Sequence, residues 1–153
     1  LINNAGCLVH KPFMETTLDD WNDLMAVNLM GPIHLSKLIL PWMEKASNPH
    51  IVNISSMGGV QGSAKFPGLC GYSTAKGALS ILTECMAEEL KDKNISVNCL
   101  ALGAVQTQML ESAFPGIKAP VDANTMGSYL ANFALEGHKV YNGKVLPVSI
   151  STP

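Results

Sequence analysis

Ile51-Val52-Asn53-Ile54-Ser55-Ser56, a glycine-rich stretch, and then Tyr72-Ser73-Thr74-Ala75-Lys76 decide how this chain is read. The first six residues are apolar and β-branched up to a pair of hydroxyls, the pattern of a short strand buried on both faces. Glycines at 58, 59, 62, 68 and 71 then allow tight backbone turns near a ligand. From Tyr72 to Lys91 apolar residues recur at helical spacing. The segment is therefore strand, loop, helix. Tyr72 and Lys76 are four residues apart and share a helix face. An ammonium beside a phenol favours the phenolate, so Lys76 is expected to lower the Tyr72 pKa. That would make Tyr72 a proton donor and acceptor near neutral pH, with a Ser56 hydroxyl to polarise a substrate oxygen. A Tyr–Lys pair taken alone also fits a solvated helix face.

The Ser56 and Tyr-x-x-x-Lys arrangement resembles the active site of the short-chain dehydrogenase/reductase family. Three further stretches fit in order. Asn3-Asn4-Ala5-Gly6 is similar to the motif closing the family's fourth strand, where it steadies the sheet and lines the adenosine side of the cofactor. Val27-Asn28-Leu29-Met30-Gly31 matches the place of the family's fourth active-site residue, in a helix kink. The resemblance implies that the Asn28 carboxamide holds a water relaying protons from Lys76; by local pattern it is equally a solvated helix Asn. Leu102-Gly103-Ala104-Val105-Gln106-Thr107 resembles the segment lying against the nicotinamide, with leucine where proline is usual. There Gly103 would admit backbone close to the ring, Val105 would offer main-chain bonds and Thr107 would reach phosphate. Gly103 also reads as an ordinary strand-end turn. Ser55 competes with Ser56 for the site, and motif alignment favours Ser56.

The implied fold is α/β, a Rossmann-type doubly wound parallel sheet in three α/β/α layers, incomplete at the N-terminus. One partial domain over 1–153 is expected. The implied activity is hydride transfer between a carbonyl or secondary alcohol and NAD or NADP. The catalytic residues would be Asn28, Ser56, Tyr72 and Lys76. Asn3, Ala5, Gly6, Tyr72, Lys76, Gly103, Val105 and Thr107 would face the cofactor. The family's glycine-rich phosphate turn and the residue choosing NAD over NADP have no counterpart here, and the chain reads as truncated or as part of a longer protein. A catalytically incompetent fragment, or a non-catalytic binding or scaffold subunit of like fold, is the alternative. An epimerase of the extended branch would carry a larger C-terminal part.

Outside the decisive stretch, Thr17 reads as an N-cap for a helix running through 18–46, which Gly31-Pro32 should disturb. Asn94–Ala101 reads as a strand, 125–136 as a helix ended by Gly137, and 144–150 as the last strand; the resemblance implies a variable substrate lid over 108–124, whose apolar residues suit either core or substrate. In the 125–136 helix Met126, Tyr129, Leu130 and Phe133 share one face. The helices 18–46 and 72–91 would form a homodimer or homotetramer interface, as in the family and as their wide apolar faces suggest.

Composition narrows the partners. Hydrophobic residues make 47% of the chain and charged residues 14%, which suits a buried parallel sheet. All ten basic residues are lysine, with no basic stripe, so nucleic acid is not an expected partner. Asn28, Pro32, His34 and Lys37 interrupt the longest apolar run, which argues against a membrane span. Cys7, Cys70, Cys85 and Cys99 lack metal spacing and read as free thiols in a reducing, cytoplasmic setting. The four histidines, including His10 and His50, receive no role.

Overall fold

The computed structural model describes residues 1–150; the last three residues of the expected 1–153 domain lie outside the described residues. Four parallel strands form the main sheet: β1 (Ile2–Asn3), β2 (His50–Ser56), β3 (Ser96–Leu102) and β6 (Val145–Val148), in the order β1-β2-β3-β6. A short parallel pair, β4 (Val105–Gln106) and β5 (Val121–Asp122), lies apart. The helices are α1 (Leu18–Met25), α2 (Gly31–Met43), α3 (Cys70–Glu89), α4 (Gln108–Ala113) and α5 (Ala123–Glu136).

The layers follow from strand periodicity, because successive side chains point to opposite faces. Ile51 and Val97 pack with Met43, Ala87, Leu90 and Ile95 under α2 and α3. Val52, Ile54 and Leu100 pack with Phe133 of α5 on the other face. Both faces of β2 are thus covered, which is why its sequence is a nearly unbroken apolar run. The result is the three-layer α/β/α arrangement. β1 stands at one edge, with Ile2 exposed, and β6 at the other, where the final strand was expected.

A buried polar ladder crosses these layers. Asn3 Nδ2 donates to Asn53 Oδ1 at 2.8 Å and to Ser36 Oγ at 3.3 Å. Asn53 Nδ2 in turn donates to Thr83 Oγ1 at 2.9 Å. One chain of amides and hydroxyls therefore ties α2, β1, β2 and α3 in a single register, since a buried amide without a partner is costly.

Gly31-Pro32 does not break the helix. Residues Ala26–Met30 form a π turn joining α1 to α2, and the Gly31 N–H bonds back to the Ala26 carbonyl. Pro32 cannot donate to the carbonyl four residues earlier, and the wider turn absorbs that misfit. The 18–43 helix is consequently continuous, and by length and composition it is long and apolar enough to cross a membrane. The interruption expected from Asn28 and Pro32 is not there. Its buried polar side chains Asn28 and Ser36 nevertheless bond inward to Cys7 and Asn3, as in a helix layered on a sheet.

Thr17 caps α1 in a reciprocal capping box with Asp20. The Tyr72 helix begins two residues earlier than expected, at Cys70, and ends at Glu89. Asp122 caps α5, so that helix starts at Ala123, two residues before the expected 125. Tyr129 is 43% exposed but stacks on Phe133 with ring centres 6.4 Å apart, so it stands at the edge of the face that Met126 and Phe133 bury. Gly137 stays in right-handed helical geometry rather than a left-handed cap, and a Cβ there would meet the Phe133 ring at 2.8 Å.

Candidate active site

Three of the segments singled out for chemistry follow the carboxyl end of a parallel strand. Asn4–Gly6 leaves β1, Ser56 ends β2, and Gly103–Thr107 follows β3. That end is where open α/β sheets place ligands.

Ser55 and Ser56 divide their work by strand alternation. Ser55 is buried, and its hydroxyl donates to the Lys76 carbonyl at 2.8 Å. Ser56 is partly open, accepts from the Gly58 N–H at 3.2 Å, and interacts with the Tyr72 phenol. The strand thereby presents Ser56 to Tyr72 while Ser55 grips the helix. Lys76 Nζ lies 5.8 Å from the centre of the Tyr72 ring and donates to the Ile54 carbonyl at 2.8 Å. Residues 54, 55 and 56 of one strand end thus contact, in turn, the ammonium, the carbonyl and the phenol of the Tyr72–Lys76 turn.

Electrostatics depart from expectation. Burial pushes the Tyr72 phenol above its ordinary pKa of 10.0, and the Ser56 interaction opposes this only in part. Lys76 does not lower it in this structure. Burial moves Lys76 below its own ordinary value, and its ammonium is held by the Ile54 carbonyl rather than by the phenol oxygen.

Asn28 is fully buried in the π turn. Its Nδ2 donates to the Leu24 carbonyl at 2.9 Å and the Cys7 carbonyl at 3.0 Å, and its Oδ1 accepts from the Cys7 N–H at 3.2 Å. Both amide protons are spent, so the carboxamide has none to give the relay water expected of it. The main-chain carbonyl of Asn28 faces a different situation, because Pro32 supplies no N–H at the α-helical position. Gly6 is squeezed between these groups: a Cβ there would lie 3.1 Å from Asn28 Oδ1 and 3.4 Å from Lys76 Nζ. Close approach, rather than an unusual dihedral, requires glycine at this point.

The remaining cofactor-facing residues are placed as follows. Asn3 turns its side chain into the buried ladder, so it braces the sheet. Ala5 is exposed beside Gly6. The space a Gly103 side chain would take is filled by Ser149, whose Oγ would lie 2.3 Å from the added Cβ. Packing against the last strand's exit therefore demands glycine at 103. Val105 is held in β4 opposite Val121. The Thr107 hydroxyl accepts from the Leu110 N–H at 3.3 Å as the cap of α4, which leaves its own proton for another acceptor.

Sequence reading passed over two features. One is the Ser55 grip, whose signal was the adjacent Ser pair: neighbours in a strand face opposite ways. The other is the contact of Gly59 with α3, where an added Cβ would sit 2.7 Å from both the Gly77 nitrogen and the Lys76 carbonyl carbon. Only the fold shows that these two glycines meet.

Known proteins share this arrangement. The short chain dehydrogenase family model matches residues 1–118. The 3-oxoacyl-(acyl-carrier-protein) reductase FabG of Thermotoga maritima is 35% identical over 111 residues, covering 72% of this chain and 44% of that protein. Cyclopentanol dehydrogenase of Comamonas testosteroni is 32% identical over 126 residues, covering 82% of this chain and 48% of that protein. Among solved structures, a 4-hydroxyisoleucine dehydrogenase mutant complexed with NADH and succinate superposes with a TM-score of 0.84 at 27% identity, over 97% of this chain and 65% of that one. A gluconate 5-dehydrogenase from Burkholderia cenocepacia in complex with NADP and tartrate gives 0.80 at 26% identity, over 97% of this chain and 62% of that one. The chain spans less than half the length of these curated relatives. With its parallel sheet, its Ser56–Tyr72–Lys76 grouping and these matches, the chain belongs to the short-chain dehydrogenase family.

Proposed function

We propose that this chain carries the catalytic part of an NAD- or NADP-dependent oxidoreductase acting on a carbonyl or secondary alcohol. The observation that carries the reading is the convergence of Ser56, Tyr72 and Lys76 at the carboxyl end of β2, beside the crowded Gly6 backbone. These residues fit the nicotinamide-ribose end of such a cofactor. Lys76 has three ammonium protons, one of them on Ile54, and the others suit ribose hydroxyls. Thr107 has a proton for phosphate, Val105 has main-chain groups, and exposed Ala5 with Gly6 leaves room for the ribose. When bound, the nicotinamide supplies or accepts the hydride. Tyr72 donates a proton to the developing alkoxide, or removes one in the reverse direction. Ser56 hydrogen-bonds the reacting oxygen and holds it against the phenol. Lys76 acts on the phenol only once its ammonium is drawn from Ile54 toward the ribose. Asn28 pins Cys7, and its main-chain carbonyl is the acceptor suited to a relay water.

Assembly and setting belong to the same proposal. Leu38 and Trp42 of α2 and Ile81 of α3 are 68%, 67% and 61% exposed, which supports a homodimer or homotetramer through these helices. The four cysteines are free, which supports a reducing, cytoplasmic setting.

The test is Tyr72→Phe in the complete protein carrying this chain. Carbonyl reduction is expected to fall by about 100-fold or more, the usual worth of a positioned proton donor. Undiminished reduction would overturn the role given to Tyr72, and an unsubstituted protein that reduces no carbonyl would point to a binding or scaffold subunit. NADH and NADPH titrated side by side identify the cofactor.

A further inference from the structure

His10 joins three segments that meet beside the proposed site. Its Nε2 lies 3.2 Å from the Pro67 carbonyl, in the loop leading to Tyr72. Its ring covers Gly68, where an added Cβ would meet the imidazole at 2.3 Å. It also packs on Phe114, just after α4, with ring centres 4.8 Å apart. The Lys11 N–H reinforces the first contact by bonding the Gly68 carbonyl at 3.1 Å. These contacts hold the exposed His10 side chain from three directions.

The ring bounds a cavity of about 310 Å³ lined by Leu8, His10, Met109, Ser112 and Ala113. Its position follows from the chain. Leu8 is next to Cys7, whose backbone Asn28 holds, and Gly6 before it crowds Lys76. Met109 comes two residues after Thr107, in α4. The cavity therefore lies between the segment pressed against Lys76 and the lid helix. Its lining contains no lysine, aspartate or glutamate. Lys11, next to His10 in the chain, pairs with Asp20 at 2.7 Å. A carboxylate entering this space would lose water without gaining a fixed counter-ion, which is costly.

We propose that this cavity takes the non-reacting end of a small uncharged ketone or alcohol, and that the His10 ring sets the size limit. The proposal rests on the oxidoreductase reading above for which end of the substrate reacts. Leu8 and Met109 supply apolar contact, and Ser112 supplies one hydroxyl for a neutral polar group.

The experiment uses the complete protein carrying this chain, as wild type and as His10→Ala, His10→Phe and Tyr72→Phe. Cyclohexanone, the keto acid levulinate and the bulkier cyclododecanone are the probes. The wild type is expected to favour cyclohexanone over levulinate in kcat/KM by roughly 10-fold or more, a typical gain from pocket contacts. His10→Ala should raise kcat/KM for cyclododecanone relative to cyclohexanone by about 10-fold, mainly through KM. His10→Phe, which refills the space without the hydrogen bond, should keep the size limit. A second readout is independent of turnover: the Met109 methyl resonance, assigned with Met109→Leu, should shift with cyclohexanone and not with levulinate. Equal use of levulinate, an unchanged size ratio in His10→Ala, or a silent Met109 methyl would each overturn the proposal. If Tyr72→Phe stays active the role given to Tyr72 falls, and if the wild type turns over no ketone the oxidoreductase reading falls; in either case a selective Met109 response leaves the cavity's preference standing.

Discussion

The Ser55 hydroxyl donates to the main-chain carbonyl of Lys76 at 2.8 Å, so the strand that ends in Ser56 also grips the helix that carries Tyr72. Ser80 Oγ lies 3.3 Å from Ser55 Oγ and 3.8 Å from Cys99 Sγ. Each of these groups has one proton. A consistent assignment runs from the Cys99 thiol through Ser80 and Ser55 to the Lys76 carbonyl, and such buried chains reinforce themselves.

Removing the head of that chain should be felt in both stability and rate. Ser55→Ala is expected to cost about 1–2 kcal/mol, because buried partners lose their donor. A urea midpoint measures it. In the complete protein kcat should fall while KM holds, since the loss is in the placement of Tyr72 and Lys76 and not in substrate contact. A drop in midpoint with unchanged kcat would reduce Ser55 to a stabilising residue.

Asn28→Ala should be more damaging. The substitution strands the Cys7 N–H and carbonyl and the Leu24 carbonyl in a fully buried place, and leaves a cavity. Roughly 2–4 kcal/mol is expected. Asn28→Asp should not rescue it, because an ionised carboxylate offers no donor to either carbonyl. Denaturant unfolding of the two variants decides this.

Gly59→Ala tests the close approach of the loop to α3. The new methyl would sit 2.7 Å from the Gly77 nitrogen and the Lys76 carbonyl carbon, both backbone, so helix or loop must shift. Overpacking of this kind costs about 1–3 kcal/mol. A thermal scan should show a lower Tm. Gly62→Ala, in open space but at φ +82°, should show only the cost of its left-handed backbone.

His50 gives a pH dependence with a definite sign. Its Nδ1 lies 3.0 Å from the Ala134 carbonyl and its Nε2 3.0 Å from Asn98 Nδ2, so the neutral ring donates at one nitrogen and accepts at the other. Burial moves its pKa below the ordinary 6.5. The unfolded chain then binds the proton more readily, and stability falls as pH drops below 6.5 toward the lowered folded value. His50→Gln cannot titrate and should flatten that part of the stability–pH curve. An unchanged slope would place the acid sensitivity in another group.

Much of this molecule was legible in one dimension. The continuous apolar run at 51–54 means a strand buried on both faces, and the helical spacing after Tyr72 means a helix packed on it. The Thr17 cap could be read because capping depends on residues three apart in sequence. Local rules of this kind need no tertiary information. At Gly31-Pro32 they forecast a disturbance but not its form: the helix stays continuous by inserting a π turn packed on α3.

Residue type and spacing determined the strand–loop–helix and the Tyr72–Lys76 pair, and the resemblance of the motifs to the family supplied the Rossmann-type sheet and Ser56. Tertiary structure alone decided what those side chains do with their protons. Asn28 gives its amide to a backbone it is twenty-one residues from, Lys76 gives an ammonium proton to Ile54, and Gly103 yields its space to Ser149. The direction of the Tyr72 shift was settled the same way: burial is a sum over every neighbour, and spacing along one helix registers only the nearest charge.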